Sequence, residues 1–126
     1  YSKKIPENVD NFIDPILELG AHVAPTGLSF YDGDMFPSKY KNTLFMTLHG
    51  SWNRSRKVGY KVIAVHFDEK GELLYHKDFI TGWLQKKDGR ELVSGRPAAV
   101  LQKSDGSILI SDDGANIIYR VTYQKT

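Results

Sequence analysis

The chain contains no cysteine, which excludes disulfides, thiol nucleophiles and cysteine-based zinc sites and is neutral between reducing and oxidising compartments. It has no apolar run approaching the length of a membrane span, so no span is expected. It has little excess of one charge: 17 Lys and Arg against 15 Asp and Glu leave a formal +2. A dedicated nucleic-acid binder carries a larger, clustered surplus. The run Arg54-Ser55-Arg56-Lys57 beside Trp52 is a single basic stretch, and no nucleic-acid partner is expected. Also missing is any sustained 3.6-residue apolar period, which argues against amphipathic helices. The first residue is Tyr1 rather than Met, so the chain reads as a piece of a longer polypeptide, and the lack of a leader carries no weight.

What is present is a series of short β-prone runs punctuated by turn chemistry. Residues 1–25 read as an irregular lead-in, interrupted by Pro6 and Pro15, with room for one strand around the apolar strip before Gly20. Strands are expected over Thr26 to Tyr31, Thr43 to Leu48, Tyr60 to Phe67 and Glu72 to Phe79. A long loop follows, Ile80 to Gly95. Three further strands are expected over Arg96 to Gln102, Ser107 to Ser111 and Ile117 to Tyr123. The turns are Asp32-Gly33, Asp68-Glu69-Lys70-Gly71, Ser104-Asp105-Gly106 and Asp112-Asp113-Gly114-Ala115-Asn116.

The two halves echo each other. Pro25-Thr26-Gly27-Leu28 parallels Pro97-Ala98-Ala99-Val100, and Leu44 to Gly50 parallels Ile108 to Gly114. Four antiparallel strands per unit with repeated Asp-Gly turns is the pattern of a β-propeller blade. The expected fold is therefore all-β. Residues 26–95 form a complete blade with a long loop, and 96–126 a blade lacking its fourth strand. Two blades leave flat faces unburied, which suits part of a ring. A small antiparallel sandwich or barrel is the rival arrangement.

The densest chemistry lies in Leu48-His49-Gly50-Ser51-Trp52-Asn53-Arg54 at the end of the second strand. An imidazole, an indole, an amide and a guanidinium close together offer donors, a stacking face and positive charge, which suits a planar anionic ligand. The bland reading is a polar loop anchored by Trp52.

Together with this string, His22-Val23-Ala24-Pro25-Thr26-Gly27-Leu28, Phe79-Ile80-Thr81-Gly82, Gly95-Arg96-Pro97 and Ser111-Asp112-Asp113-Gly114-Ala115-Asn116 carry a resemblance. From His22 to the C-terminus the chain resembles the C-terminal blades of the glucose/sorbosone dehydrogenase family, closer to its sorbosone-type branch. These are soluble enzymes that use pyrroloquinoline quinone (PQQ). The resemblance implies a six-bladed propeller, of which this chain is the C-terminal portion, with PQQ lying over the central channel. It implies cofactor contacts at His22, at His49 (where the glucose-type enzymes place a lysine) and at Arg96, which would meet the quinone's carboxylates. A second family arginine is Ser94 here, and Arg54 is the candidate to replace its charge. Trp52 either covers a ring edge or plugs the loop into the core.

By the same resemblance, the general base and the calcium ligands lie in other blades. No catalytic residue and no metal ligand is therefore assigned to this chain, and the fragment alone is expected to be inactive. The parent would pass a hydride from a sugar C1 to the quinone, with the sugar and an electron acceptor as partners and a periplasmic or otherwise extracytoplasmic location.

Other residues attract plainer readings. His66 and His76 are expected at surface or cross-strand positions. Asp112-Asp113-Gly114 lacks the alternating acidic ligands of a calcium loop and is expected to cap a turn and strand. Without the resemblance, Arg96 stands open between ligand and salt bridge. Three functional readings follow: part of a PQQ-dependent sugar dehydrogenase; a propeller retained as a non-catalytic binding module, which Ser94 permits; and a two-blade unit that completes a ring from three copies.

Overall fold

The computed structural model describes residues 12–125. Among the described residues nine strands form three antiparallel sheets: β1 (Pro25–Tyr31), β2 (Thr43–Leu48), β3 (Lys61–Phe67), β4 (Leu73–Ile80), β5 (Leu84–Lys87), β6 (Arg90–Val93), β7 (Pro97–Gln102), β8 (Ile108–Asp112) and β9 (Ile117–Val121). The first sheet runs β1-β2-β3-β4, β5 pairs only with β6, and the last sheet runs β7-β8-β9. These are two antiparallel propeller blades joined through a hairpin. A single turn of 3-10 helix, Ser38–Tyr40, interrupts the β1–β2 connection. Among the described residues no helix is long and apolar enough to cross a membrane.

Alternation decides which side chains enter which layer. On β3, Val62 and Ala64 join one buried cluster and Ile63 and Val65 another, so this central strand is covered on both faces. The first cluster lies between the blades: Tyr31, Phe45, Val62 and Ala64 of one sheet meet Val100, Ile108 and Ile110 of the other. Each large apolar side chain buried there contributes about 1.5–3 kcal/mol. Polar bonds pin the same interface. The Tyr31 hydroxyl donates to the Gly106 carbonyl at 2.8 Å, and the Thr26 and Thr47 hydroxyls both donate to the Ala98 carbonyl, at 2.7 and 2.9 Å. Strands β1 and β7 approach so closely that a Cβ on Gly27 would lie 2.7 Å from the Ala99 Cα.

The seven blade strands match the expected order. The lead-in differs in part: residues 12–24 contain no strand, and Leu17, Leu19 and Val23 instead pack against the second cluster. The portion of the expected lead-in over residues 1–11 lies outside the described residues. The expected loop from Ile80 to Gly95 contains the hairpin β5–β6. Its strands are too polar to show alternation, yet Asp88-Gly89 is the favoured dipeptide of a two-residue hairpin turn, and both residues have positive φ, 51° and 73°.

Of the two positions expected for His66, it takes the cross-strand one, opposite Tyr75 on β4. It is not at the surface but 6% exposed, stacked on Tyr75 at 4.6 Å. Its Nδ1 shares a hydrogen bond with the Thr43 hydroxyl at 3.2 Å, while its Nε2 is buried without a partner. The sixth residue of a seven-residue strand alternates like its neighbours whether or not anything covers it, and here Tyr40 and Tyr75 do.

Burial, with the nearby charges of Lys77 and Lys39, lowers the His66 pKa. The folded state therefore resists protonation, while the unfolded chain accepts it near pH 6.5. The stability associated with a neutral His66 is present above about pH 6.5 and is lost as pH falls through the lowered folded value. His66→Phe is expected to flatten the pH dependence of the melting temperature on the acid side of pH 6.5; an unchanged slope would assign it to another group.

Candidate functional site

One edge of the two blades gathers the chain entering β1, the turn leaving β2, the chain entering β7 and the turn leaving β8. Its foundation is Asp112, at the end of β8 and 2% exposed. One carboxylate oxygen accepts the backbone N–H of Arg96 at 2.7 Å and of Ala115 at 2.8 Å. The other accepts the Trp83 indole N–H at 2.8 Å and the Tyr119 hydroxyl at 3.3 Å. Burial by itself would raise its pKa, but these four donors outweigh that and hold it below the ordinary carboxylate value. A side chain at position 95 would collide with this carboxylate, a Cβ there lying 2.0 Å from it. Gly95 is therefore what lets the chain pass.

Asp112 thus fixes where Arg96 begins. The Arg96 guanidinium reaches across the blade boundary, donating from Nε to the His49 carbonyl at 3.2 Å and from Nη2 to the Gly50 carbonyl. It also lies over the Tyr60 ring, 5.5 Å from the centroid. Arg96 makes no ion pair among the described residues, and its Nη1 has no hydrogen-bond partner among them. The guanidinium is held in place by neutral groups and keeps its full charge.

His49 crosses the same boundary. Its Nε2 meets the Asp113 carboxylate at 2.7 Å, the imidazole side chain 19% and the carboxylate 64% exposed. The loop beyond it is bound to the entry of β1. His49 N–H donates to Ala24 and Gly50 N–H to Val23, each at 2.9 Å, and Arg54 Nη1 donates to the Ala21 carbonyl at 3.1 Å. His22 and Ala24 hold φ of 66° and 52°, and Tyr60, closing the loop, 57°. Non-glycine residues adopt this region only when their surroundings impose it.

All five candidates therefore come to one edge. His49 and Arg96 are in direct contact; His22 and Arg54 join them through the 21–24 backbone; Trp52 sits on the loop itself. Trp52 does not plug the core, being 82% exposed. The loop interior is filled instead by Tyr60, whose hydroxyl donates to the Ser51 carbonyl. Ser94 is exposed, its backbone N–H bonded to the Trp83 carbonyl at 2.9 Å. Sequence reasoning missed Asp113 as a partner of His49, Tyr60 as the platform under Arg96, and Trp83 as an anchor of Asp112. The doubled Asp at 112–113 was the available signal; nothing local marks Trp83.

The donor set suits a planar polyanion. Arg96 and Arg54 keep free N–H groups for carboxylates, and Trp52 presents a flat exposed face. His49 fits less simply, because its Nε2 is committed to Asp113 and only Nδ1 remains for a ligand. Among the described residues no group of three or more His, Asp or Glu side chains is placed to hold a metal ion.

Comparison with known proteins agrees with this architecture. A protein of Borreliella burgdorferi is 45% identical over 126 residues, covering 99% of this chain and 32% of that protein. A pyrroloquinoline quinone-dependent pyranose dehydrogenase of Coprinopsis cinerea is 40% identical over 55 residues, 44% of this chain and 7% of that one. Among solved structures, the holo form of the PQQ domain of the Coprinopsis cinerea pyranose dehydrogenase aligns with a TM-score of 0.68 at 24% identity, over 90% of this chain and 30% of that one. A calcium structure of a Trichoderma reesei carbohydrate-active enzyme of family AA12 aligns with a TM-score of 0.68 at 24% identity, over 87% of this chain and 27% of that one. The chain thus spans about a third or less of the length of these relatives. The TrAA12-like family model matches residues 7–124, and the chain belongs to that family.

Proposed function

We propose that this chain is two blades of a PQQ-dependent sugar oxidoreductase domain and that its Arg96 edge forms part of the cofactor's binding site. The observation that carries the reading is the Arg96 guanidinium, oriented by two carbonyls and an aromatic ring and unneutralised by any carboxylate among the described residues. A carboxylated quinone needs such a group at its rim. Arg96 and Arg54 would hold carboxylates, His49 would contact an oxygen through Nδ1, His22 would flank the entry to β1, and Trp52 would cover a ring edge. When bound, PQQ supplies an ortho-quinone able to accept a hydride.

The names of the relatives support a sugar as the hydride donor, and the Trichoderma reesei calcium structure supports calcium as a second component. In this reading the calcium ligands and the base that takes the hydroxyl proton belong to parts of the parent beyond this chain. Sorbosone as the sugar, a separate electron acceptor and an extracytoplasmic location rest on the family resemblance. A ring completed by further copies of the chain remains the alternative to completion by other blades of the parent.

The test uses the full native polypeptide that contains this chain, supplied with PQQ and calcium and assayed by dye reduction on a panel of aldoses and sorbosone. Arg96→Lys keeps the charge but loses the fork, and is expected to weaken PQQ binding about tenfold, equivalent to about 1.4 kcal/mol. His49→Ala is expected to lower turnover as well. A folded protein with no PQQ-induced thermal shift and no turnover would favour the non-catalytic binding module.

A further inference from the structure

Arg56 and Lys57, at the end of the basic run after Trp52, are not used by the site above. Arg56 and Lys57, from the β2–β3 connection, face Lys86 and Arg90 of the β5–β6 hairpin across a cleft of about 690 Å³. The two walls are joined by the Lys57 backbone N–H, which donates to the Glu91 carboxylate at 2.8 Å. None of the four cations forms an ion pair among the described residues; the ion pairs there all lie elsewhere. In a chain of net charge +2, four cations against the one carboxylate of Glu91 concentrate positive charge in one concave place, where a ligand feels it within a Debye length of about 8 Å.

From this we infer that the cleft between the β2–β3 connection and the β5–β6 hairpin binds an anionic saccharide, a sugar chain bearing carboxylates or sulfates. Two features select that chemistry. Arg56 and Arg90 offer planar forks suited to carboxylate and sulfate oxygens. Glu91 and Ser55 stand among the cations and can accept hydrogen bonds from hydroxyl groups, which saccharides carry in abundance and a phosphate backbone does not. A protein partner fits less well, since protein interfaces deplete lysine and bury about 800 Å² per side. A nucleic acid would call for aromatic rings in the lining, and there are none. The inference does not depend on the cofactor.

Binding of tetragalacturonate to the full native polypeptide, without PQQ, tests it by calorimetry at low salt and again at about 0.5 M salt. Lys86→Glu and Arg90→Glu alter exposed hairpin side chains, and matched thermal melts establish that the variants are folded. Affinity is expected to fall about tenfold in the double variant, in high salt and for the fully methyl-esterified tetramer. A sulfated tetrasaccharide run in parallel distinguishes sulfate from carboxylate preference, and binding of either supports the inference. Three results would overturn it: no binding of either anionic saccharide at low salt, equal binding of the methyl ester, or tighter binding of a short oligothymidylate.

Discussion

Asp112→Ala is expected to destabilise the protein by about 3 kcal/mol, because a buried donor left without a partner costs about 1–3 kcal/mol and the part-buried ones add less. The carboxylate serves four: two backbone N–H groups, the Trp83 indole and the Tyr119 hydroxyl. Among the described residues the Arg96 and Ala115 N–H groups have no other acceptor, and Trp83 is itself buried. Asp112→Asn keeps one oxygen but turns an N–H₂ toward donors, so about half that loss is expected. Urea denaturation of the three proteins would show it as a fall in midpoint at constant slope.

The sign of the pH effect gives a separate check. The folded pKa of Asp112 is lowered, so its contribution is present above the unfolded carboxylate value, near pH 3.9, and lost as pH falls through the folded value. Acid unfolding of Asp112→Asn should lack that component. An Asn variant as stable as the parent would mean that the four contacts contribute little.

Gly50→Ala is the second large effect expected, at about 3 kcal/mol. Gly50 has φ +97°, and a Cβ there would lie 2.4 Å from the Tyr60 ring. The ring cannot retreat as a loose side-chain end would. Tyr60 is buried, its hydroxyl is tied to Ser51, and Arg96 lies over its face. Backbone strain and forced displacement therefore add. Gly71→Ala provides the comparison, with φ +84° and nothing within 4 Å of the added carbon; it should show only the backbone component, about 1 kcal/mol. Equal melting temperatures for the two variants would remove the packing argument. Because the Gly50 carbonyl receives the Arg96 guanidinium, loss of PQQ-induced stabilisation is expected to accompany the larger effect.

Much of the blade structure was legible because it is written locally. Val62 to Val65 are apolar on both faces of a strand, and Leu44 to Thr47 pair with them in the register that burial demands. Asp-Gly turns separate the runs. The hairpin was harder to read, since Gln85, Lys86 and Lys87 offer no apolar alternation and its strands have little to bury. The candidate site was legible as a set of residue types. Its geometry was not, because His49 meets Asp113 and Arg96 meets Gly50 across 64 and 46 positions of sequence.

By itself, the sequence determined the all-β character, the blade repeat and the presence of His22, His49, Trp52, Arg54 and Arg96 at strand ends. Each of these follows from near neighbours: period-two hydrophobicity, turn-forming pairs and motif strings. Only the tertiary structure decided that Trp52 faces outward, that His66 is buried, and that Arg96 is neither salt-bridged nor free but braced by carbonyls and Tyr60. Those outcomes depend on which surfaces the second blade and the connecting loops cover. That is set by close packing between segments far apart in the chain, and no single stretch of residues encodes it.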